Sequence, residues 1–279
     1  GKGIPFIYSK DKIHWTLGGR IFSKDALPKW HKQDIPQQDG DLWAPDISYV
    51  NGKYYLYYAV SAWMNFNSSI GLAENSTLDP RDPHYKWLDK GQVINVRNGG
   101  NGVNVIDPSL VEDKYKWLIY GSFKAGLRMI RLDSLTGFRS AKDTTIYTIT
   151  SGLGEGSCII KSGKYYYLFT SRGRCCAGLR STYQIVIGRS KNITGPYLNK
   201  KAESLLENKY SIFLAGDDWE PGRGGNSFFT EGDTTYVVYH AYSKALGGKS
   251  VLKIKPLFMD ADGWPTLNNQ ATLFKRKIN

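Results

Sequence analysis

The chain has 279 residues, of which 41% are hydrophobic and 22% charged, a composition typical of a folded globular protein and not of a disordered one. The formal net charge is +12, but the basic residues are scattered and no nucleic-acid recognition motif is present, so we interpret the charge as a solvated surface. No apolar run approaches the roughly 18 residues of a membrane-spanning helix, and 3 cysteines without zinc-ligand spacing exclude a disulfide framework.

In chain order, the first predicted elements are two short strands at residues 5–9 and 12–16. From residue 44 onwards, one pattern recurs: a short strand, a tight turn that leads into an aromatic strand, and a third strand. A weaker fourth segment closes each unit, for example residues 86–90. The three main segments of the successive units are residues 44–50, 51–58 and 69–73; 106–111, 112–120 and 127–131; 155–160, 162–169 and 183–188; and 225–229, 231–239 and 250–254.

Repeated groups of four antiparallel strands are typical of β-propeller blades, and the sequence has none of the long amphipathic helices that a parallel α/β fold needs. Residues 1–30 match only the last two strands of such a unit. We therefore predict an all-β chain: a five-bladed β-propeller with its first blade truncated at the N-terminus. Residues 1–279 would form one catalytic domain, and we expect the natural polypeptide to begin upstream of Gly1.

Polar residues precede the first strand of each complete unit, namely Asp46, Asp107, Glu155 and Asn226. A single acid before a strand is usually a turn or cap residue. Three carboxylates at equivalent repeat positions would instead crowd around one axis, where like charges raise pKa values and separate an acid from a base. Such an arrangement suits glycoside hydrolysis, and a site for a hard cation is the rival interpretation.

Short motifs distributed along nearly the whole chain resemble glycoside hydrolase family 43, and most closely its arabinanases. The shared motifs are Leu42-Trp43-Ala44-Pro45-Asp46, Ser69-Ile70-Gly71-Leu72-Ala73, Ile106-Asp107-Pro108-Ser109, Gly121-Ser122-Phe123, Gly154-Glu155-Gly156 and Tyr239-His240-Ala241-Tyr242. Residues 175–183 and 188–197 are similar to arabinanases in particular. Any one of these motifs is weak, but their order along the chain makes the match strong.

The resemblance implies an inverting hydrolase of α-1,5-linked L-arabinan, with Glu155 as the general acid and Asp107 as the residue that tunes its pKa. The family's general base usually lies in a His-Asp-Pro motif, and we expect it upstream of Gly1. The implied substrate is arabinan or its oligosaccharides, including the side chains of pectin. The implied location is secreted, periplasmic or on the cell surface.

The resemblance also suggests further site residues. In the family, the residue matching His240 binds a central ion, commonly calcium, although calcium prefers oxygen ligands. Residues 222–226 depart from the Gly-Pro-Gly-His that arabinanases often have there, which could alter the subsites or the surroundings of the ion. Trp43 and Phe123 could stack on sugar rings, although aromatic residues at such positions commonly pack in the core. The predicted substrate-binding residues are Trp43, Asp46, Ser69, Phe123, Cys175, Cys176, Ser181 and Thr182.

Two alternatives to an arabinan hydrolase stay open at the level of sequence. One keeps the fold and changes the substrate, giving an α-L-arabinofuranosidase or β-xylosidase. The other is a non-catalytic carbohydrate-binding propeller, which the missing general base favours and the presence of Glu155 and Asp107 opposes. Endo and exo action differ in the shape of the loops around the groove, which the sequence does not specify.

Overall fold

The computed structural model describes residues 2–63, 65–97, 102–122, 124–152 and 154–276, and its regular structure is almost entirely β. Helix occurs in these residues as short 3₁₀ turns, at Lys24–Ala26, Gly178–Arg180, Leu205–Glu207 and Lys244–Leu246. None of the described helices has the length and hydropathy that crossing a bilayer requires. The strands are β1 (Pro5–Tyr8), β2 (Thr16–Arg20), β3 (Trp43–Val50), β4 (Lys53–Val60), β5 (Ser68–Asn75), β6 (Leu88–Val96), β7 (Ile106–Glu112), β8 (Lys116–Gly121), β9 (Arg128–Leu132), β10 (Ile146–Thr148), β11 (Glu155–Ser162), β12 (Tyr165–Arg172), β13 (Gln184–Ser190), β14 (Ser211–Leu214), β15 (Gly224–Glu231), β16 (Thr234–Ser243), β17 (Lys249–Pro256), β18 (Phe258–Met259), β19 (Pro265–Thr266) and β20 (Thr272–Leu273).

The strands form separate sheets, and in most of them neighbours in space are also neighbours in sequence. Sheets β3–β6, β7–β10 and β11–β14 have four strands each, β15–β17 has three, β1 pairs with β2, and β18 lies between β19 and β20. The all-β prediction is confirmed, and the predicted four-stranded units correspond to the three four-stranded sheets. The last predicted unit corresponds to a sheet of three strands among the described residues.

The second predicted strand, at residues 12–16, is displaced along the chain. The observed strand begins only at Thr16. The Asp11 carboxylate accepts hydrogen bonds from the backbone amides of Ile13 and His14 at 2.9 and 2.7 Å, which holds these residues in a turn. A short aspartate side chain that bonds its own backbone competes with strand pairing.

The chain divides into two compact units. The first comprises Gly1–Ala125 and Ile130–Ile146, and the second comprises Gly126–Met129 and Tyr147–Asn279. The first unit contains two clusters of buried apolar side chains, one around Tyr58 and Ile35 and one around Tyr57 and Leu118. The second unit has a cluster around Phe169 and Trp264. Each unit therefore has its own hydrophobic core.

The aromatic strand β4 shows why these segments form buried strands. From Tyr55 to Val60 every residue is buried, on both faces of the strand. The hydroxyl of Tyr57 donates to the carbonyl oxygen of Gly137 at 2.8 Å, and that of Tyr58 donates to Asp89 Oδ1 at 2.7 Å. Burying each ring stabilises the fold by about 1.5–3 kcal/mol, provided that the hydroxyl keeps a hydrogen-bond partner.

Candidate active site

The first strand of four sheets opens with a β-bulge of the same form. Trp43 pairs with Ala59 and Asp46 with Tyr57, so three steps along β3 match two steps along β4, and one residue is extra. Strands β7, β11 and β15 have the same irregularity at residues 106–109, 155–158 and 224–227. The second residue of each bulge has a positive φ: 35° at Ala44, 51° at Asp107, 56° at Gly156 and 64° at Gly225.

These bulges correct the sequence alignment of the polar residues. Glu155 is the first residue of its bulge, Asp107 the second, Asn226 the third and Asp46 the fourth. The prediction that they occupy equivalent repeat positions is therefore wrong, because the sequence pattern does not show at which residue each bulge begins. All four nevertheless lie in the bulge that opens a first strand.

In the first unit, Trp43 and Asp46 lie at the opening of β3. Asp46 is half-buried, and its Oδ2 accepts a hydrogen bond from the backbone amide of Leu110 on β7 at 2.9 Å. The ring of Trp43 lies 5.4 Å from that of Trp63, at an interplanar angle of 50°. Trp63 follows β4 and is 72% exposed, whereas Trp43 is half-buried, so the two rings form a partly exposed aromatic pair beside the bulge.

Ser69, also predicted to bind substrate, lies in a buried polar network. It is 1% exposed, and its hydroxyl donates to Asp34 Oδ2 at 3.2 Å. The same carboxylate accepts hydrogen bonds from Gln92 at 2.8 Å, from Asn95 at 3.3 Å and from Arg97 Nε at 2.6 Å. Burial alone would raise the pKa of Asp34, but the hydrogen bonds from Gln92, Arg97 and Ser69 outweigh it and lower the pKa.

Asp107 lies in the bulge of β7 and is half-buried, with the left-handed backbone that aspartate and asparagine tolerate better than most residues. It comes just before Pro108 and Ser109, which are both buried. Phe123, predicted to stack on a sugar, lies outside the described residues.

In the second unit, Glu155 is held at the opening of β11 by Tyr183 and by two adjacent residues of β12. The hydroxyl of Tyr183 donates to Glu155 Oε1 at 2.9 Å, and Thr170 Oγ1 donates to the backbone carbonyl of Glu155, also at 2.9 Å. The partner of Glu155 across the strands is Ser171, whose hydroxyl accepts the backbone N–H of Gly225 at 2.9 Å. The bulges of β11 and β15 are thereby connected around the Glu155 carboxyl.

His240 lies on β16 opposite Gly224, at the bulge of β15. Its ring stacks on that of Tyr183, with centroids 5.7 Å apart and an interplanar angle of 22°. The ring of Tyr242 makes an edge-on contact with the imidazole, with centroids 5.3 Å apart. Burial lowers the pKa of His240, which favours the neutral imidazole. Within the described residues, His240 Nε2, both side-chain polar atoms of Asn226 and the Ser157 hydroxyl are buried and lack a hydrogen-bond partner.

The cysteine pair lies in the loop before β13. Cys176 is exposed, has a φ of 60°, and donates its backbone N–H to the Tyr242 hydroxyl at 2.7 Å. Neither cysteine of the pair forms a disulfide, and their sulfur atoms lie 2.6 Å apart. The remaining predicted residues shape this loop: Ser181 is buried and accepts the N–H of Ala177 at 3.1 Å, and exposed Thr182 accepts that of Arg174 at 3.0 Å.

The structure also reveals site residues to which the sequence analysis gave no role. Tyr183 connects Glu155 with His240, and Tyr242 connects His240 with Cys176. Both tyrosines lie within the motifs already described, directly after Thr182 and two residues after His240. Trp63 had no signal of this kind, because only its exposure and its contact with Trp43 distinguish it from a core tryptophan.

Comparison with known proteins gives a consistent result along nearly the whole chain. The sequence model of glycosyl hydrolases family 43 matches residues 1–265. The extracellular exo-α-(1→5)-L-arabinofuranosidase of Cellvibrio japonicus (strain Ueda107) is 38% identical, over 97% of this chain and 82% of that protein. The extracellular endo-α-(1→5)-L-arabinanase 1 of Bacillus subtilis (strain 168) is 37% identical, over 95% of this chain and 80% of that protein.

Among solved structures, an α-L-arabinanase of Cellvibrio cellulosa in complex with arabinohexaose superposes with a TM-score of 0.91. The sequences are 36% identical, and the match covers 97% of this chain and 90% of that chain. The similarity thus extends from sequence to three-dimensional structure.

Proposed function

Because the chain belongs to glycosyl hydrolase family 43, we propose that it hydrolyses the α-1,5 bonds between L-arabinofuranose units of arabinan, with inversion at the anomeric carbon. The observation that carries the proposal is the setting of Glu155. This carboxyl lies at a bulge, is half-buried, and is fixed by the hydroxyl of Tyr183 at 2.9 Å. Its arabinanase relatives support arabinan as the substrate.

Glu155 acts as the general acid in this proposal. An inverting hydrolase needs one protonated carboxyl to donate a proton to the leaving oxygen while a carboxylate activates water. The Tyr183 hydroxyl donates to Oε1, so that oxygen serves as the acceptor and the proton to be transferred resides on Oε2. Tyr183 is itself held by its stacking on His240, and the carboxyl is thereby oriented before the substrate arrives.

Asp107 tunes the pKa of the general acid, a role that rests on the family resemblance. Its left-handed backbone at the bulge fits this residue type, because a short polar side chain tolerates a positive φ. Asp107→Asn keeps that tolerance and removes the charge, so the variant separates an electrostatic role from a backbone one.

His240 holds a hydrated cation, and we take calcium as the ion. The buried, unpartnered atoms of His240, Asn226 and Ser157 are the supporting observation, since such groups are usually satisfied by water or an ion. The described residues contain no group of three or more His, Cys, Asp or Glu side chains that could hold a metal, so water would supply most of the coordination shell. A bound cation would supply positive charge beside the reacting sugar.

The same proposal includes the five-bladed propeller as a single catalytic domain and a location outside the cytoplasm. The recurrence of one bulge at the start of β3, β7, β11 and β15 supports a repeated blade. The two curated relatives named above are described as extracellular, and the substrate, arabinan in pectin side chains, is itself outside the cell.

The test compares the full-length enzyme with Glu155→Gln and Asp107→Asn, retaining any sequence that precedes Gly1 in the gene. On linear arabinan, Glu155→Gln should lower kcat by about 10²–10⁴-fold, since that is what a positioned acid contributes. On an aryl arabino-oligoside whose phenol departs without a proton, the loss should be much smaller. Asp107→Asn should move the alkaline limb of the kcat/KM profile to lower pH, because removing a negative charge lowers the pKa of a general acid.

The sequence offers a matched control in Glu207→Gln, an exposed glutamate of the same unit in the Leu205–Glu207 turn. This variant should keep the wild-type rate on both substrates. Near-normal turnover of arabinan by Glu155→Gln, or an equal loss on both substrates, would remove Glu155 from the role of acid. Hydrolysis of xylo-oligosaccharides in preference to arabinan would overturn the proposed substrate.

A further inference from the structure

The loop that leads into the bulge of β15 carries a solvent-exposed tryptophan. Trp219 is 71% exposed, although tryptophan side chains are on average highly buried. An isolated exposed apolar residue is by itself ordinary. What distinguishes this one is the rigidity of its loop and the position of that loop beside the Glu155 site.

Backbone hydrogen bonds fix Trp219 on both sides. Asp217 Oδ1 accepts the N–H groups of Trp219 and Glu220, at 2.9 and 2.8 Å, and the carbonyl of Trp219 accepts the N–H of Lys244 at 2.9 Å. The Lys244 ammonium lies 5.4 Å from the centroid of the indole ring. The backbone at Trp219 is therefore fixed, while the ring presents most of its surface to solvent.

Arg223 connects the two ends of this loop. Its Nη1 donates to the carbonyl of Ala215 at 3.0 Å, and its Nη2 donates to the carboxylates of Asp217 and Glu220. Lys253 on β17 pairs with Glu220 from the other side. Arg223 is the residue by which this chain departs from the family motif, and its guanidinium spans both ends of the segment that carries Trp219.

The loop lies against the residues of the proposed site in the same unit. The carbonyl of Pro221 accepts the backbone N–H of Tyr242 at 3.1 Å. A Cβ on Gly222 would lie 2.4 Å from Ser181 Cβ and 2.7 Å from the ring of Tyr242, so the loop packs there without space for a side chain. Lys244, whose backbone N–H donates to the carbonyl of Trp219, comes directly after β16, the strand that carries His240.

We propose that Trp219 is a sugar-stacking platform that binds arabinofuranose units of the substrate remote from the cleaved bond, and that Arg223 positions it. The inference rests on the proposed function and extends it to substrate length. Aromatic rings bind sugars through their faces, and a ring whose backbone is already fixed loses less conformational entropy on binding than one on a mobile loop. The contacts of Glu155 and His240 described above do not include Trp219, so a sugar on this ring would belong to a unit other than the one being cleaved, and longer chains would benefit most.

The test uses linear α-1,5-arabino-oligosaccharides of three and six units as probes. The readout is kcat/KM for arabinohexaose divided by kcat/KM for arabinotriose. For Trp219→Ala this ratio should fall about 3- to 10-fold, through a higher KM for the hexaose. Trp219→Phe should recover most of the ratio. Leu246→Ala removes a 53% exposed apolar side chain from the neighbouring 3₁₀ turn and should leave the ratio at its wild-type value.

Arg223→Ala should lower the same ratio, and the double variant with Trp219→Ala should lower it no further, because both changes remove one platform. Calorimetric titration of the hexaose into these variants in a Glu155→Gln background measures binding without turnover. An unchanged ratio and unchanged hexaose affinity in Trp219→Ala, with a wild type that cleaves arabinan, would overturn the platform and leave the proposed function standing. A wild type that neither binds nor cleaves either probe would overturn both.

Discussion

Asp34 shows how one buried residue can keep its charge. Its side chain is 3% exposed, yet Arg97, Gln92, Asn95 and Ser69 all donate to its two oxygens. Arg97 is itself 53% exposed, so only one member of the ion pair has lost most of its water. Hydrogen bonds of this number to the charged form explain why the pKa of Asp34 is lowered despite its burial.

Asp34→Asn should therefore destabilise the protein at neutral pH by about 1–3 kcal/mol, because the amide group cannot accept all of these hydrogen bonds. A carboxyl whose folded pKa is lowered contributes stability above its unfolded pKa of about 3.9, and that contribution is lost as pH falls through the folded value. Thermal unfolding between pH 7 and pH 3 should show the wild type and Asp34→Asn converging at the acid end. Asp39→Asn, at an exposed pair with Lys2, is the control and should change the melting temperature little. A difference in melting temperature between wild type and Asp34→Asn that stays constant at all pH values would show that the charge of Asp34 is not what stabilises the fold.

Among the structural elements, the bulged strand β15 has the most direct effect on the proposed acid. A Cβ at Gly224 would lie 2.1 Å from Cδ1 of Tyr183, the residue that donates to Glu155 and stacks on His240. The absence of a side chain at Gly224 is thus what allows Tyr183 to lie between β15 and the carboxyl. The bulge on β11 places the half-buried Glu155 at the start of its strand, and bulges near active sites commonly re-aim a side chain in this way.

Gly224→Ala should displace Tyr183, lower stability by about 1–3 kcal/mol through overpacking, and lower kcat on arabinan. Gly188→Ala is the matched control, since its Cβ would meet Leu205 at 2.7 Å within a different part of the same unit. Both variants should melt at lower temperature, but only Gly224→Ala should lose kcat when each is assayed well below its melting temperature. Equal kcat in the two variants would mean that Tyr183 does not position the acid.

At the scale of the whole molecule, two units each contain buried aromatic and aliphatic clusters. The proposed cation would act at this scale through mass action, because an ion that binds only the folded chain stabilises all of it. The buried and unpartnered atoms of His240, Asn226 and Ser157 are the groups that such an ion and its water would satisfy.

Calcium should raise the melting temperature of the chelator-treated protein, by an amount equivalent to about 2.7 kcal/mol at a hundredfold excess over Kd. His240→Ala should abolish the response to calcium. His84→Ala, a change at an exposed histidine of the other unit, should retain it. A wild-type melting temperature that is independent of calcium and of chelator would show that His240 holds no such ion.

The sequence by itself determined the elements and the family of this protein. Strand formation follows from local alternation and aromatic content, so the sequence predicted the first three strands of each unit between β3 and β17. It did not locate the short outer strands β10 and β14. Motifs of a few adjacent residues, through their resemblance to the family, likewise identified Glu155, Asp107 and His240 as candidates.

Only the tertiary structure decided the register of the bulges and the partners of the site residues. An extra residue in a strand changes which groups face each other without changing the composition of the strand. Tyr183 meets Glu155 across 28 residues, and Gly225 meets Ser171 across 54, distances over which local propensity carries no information. The exposure of Trp219 depends in the same way on Arg223 and Lys244, since a tryptophan is placed inside or outside by what the folded chain packs around it.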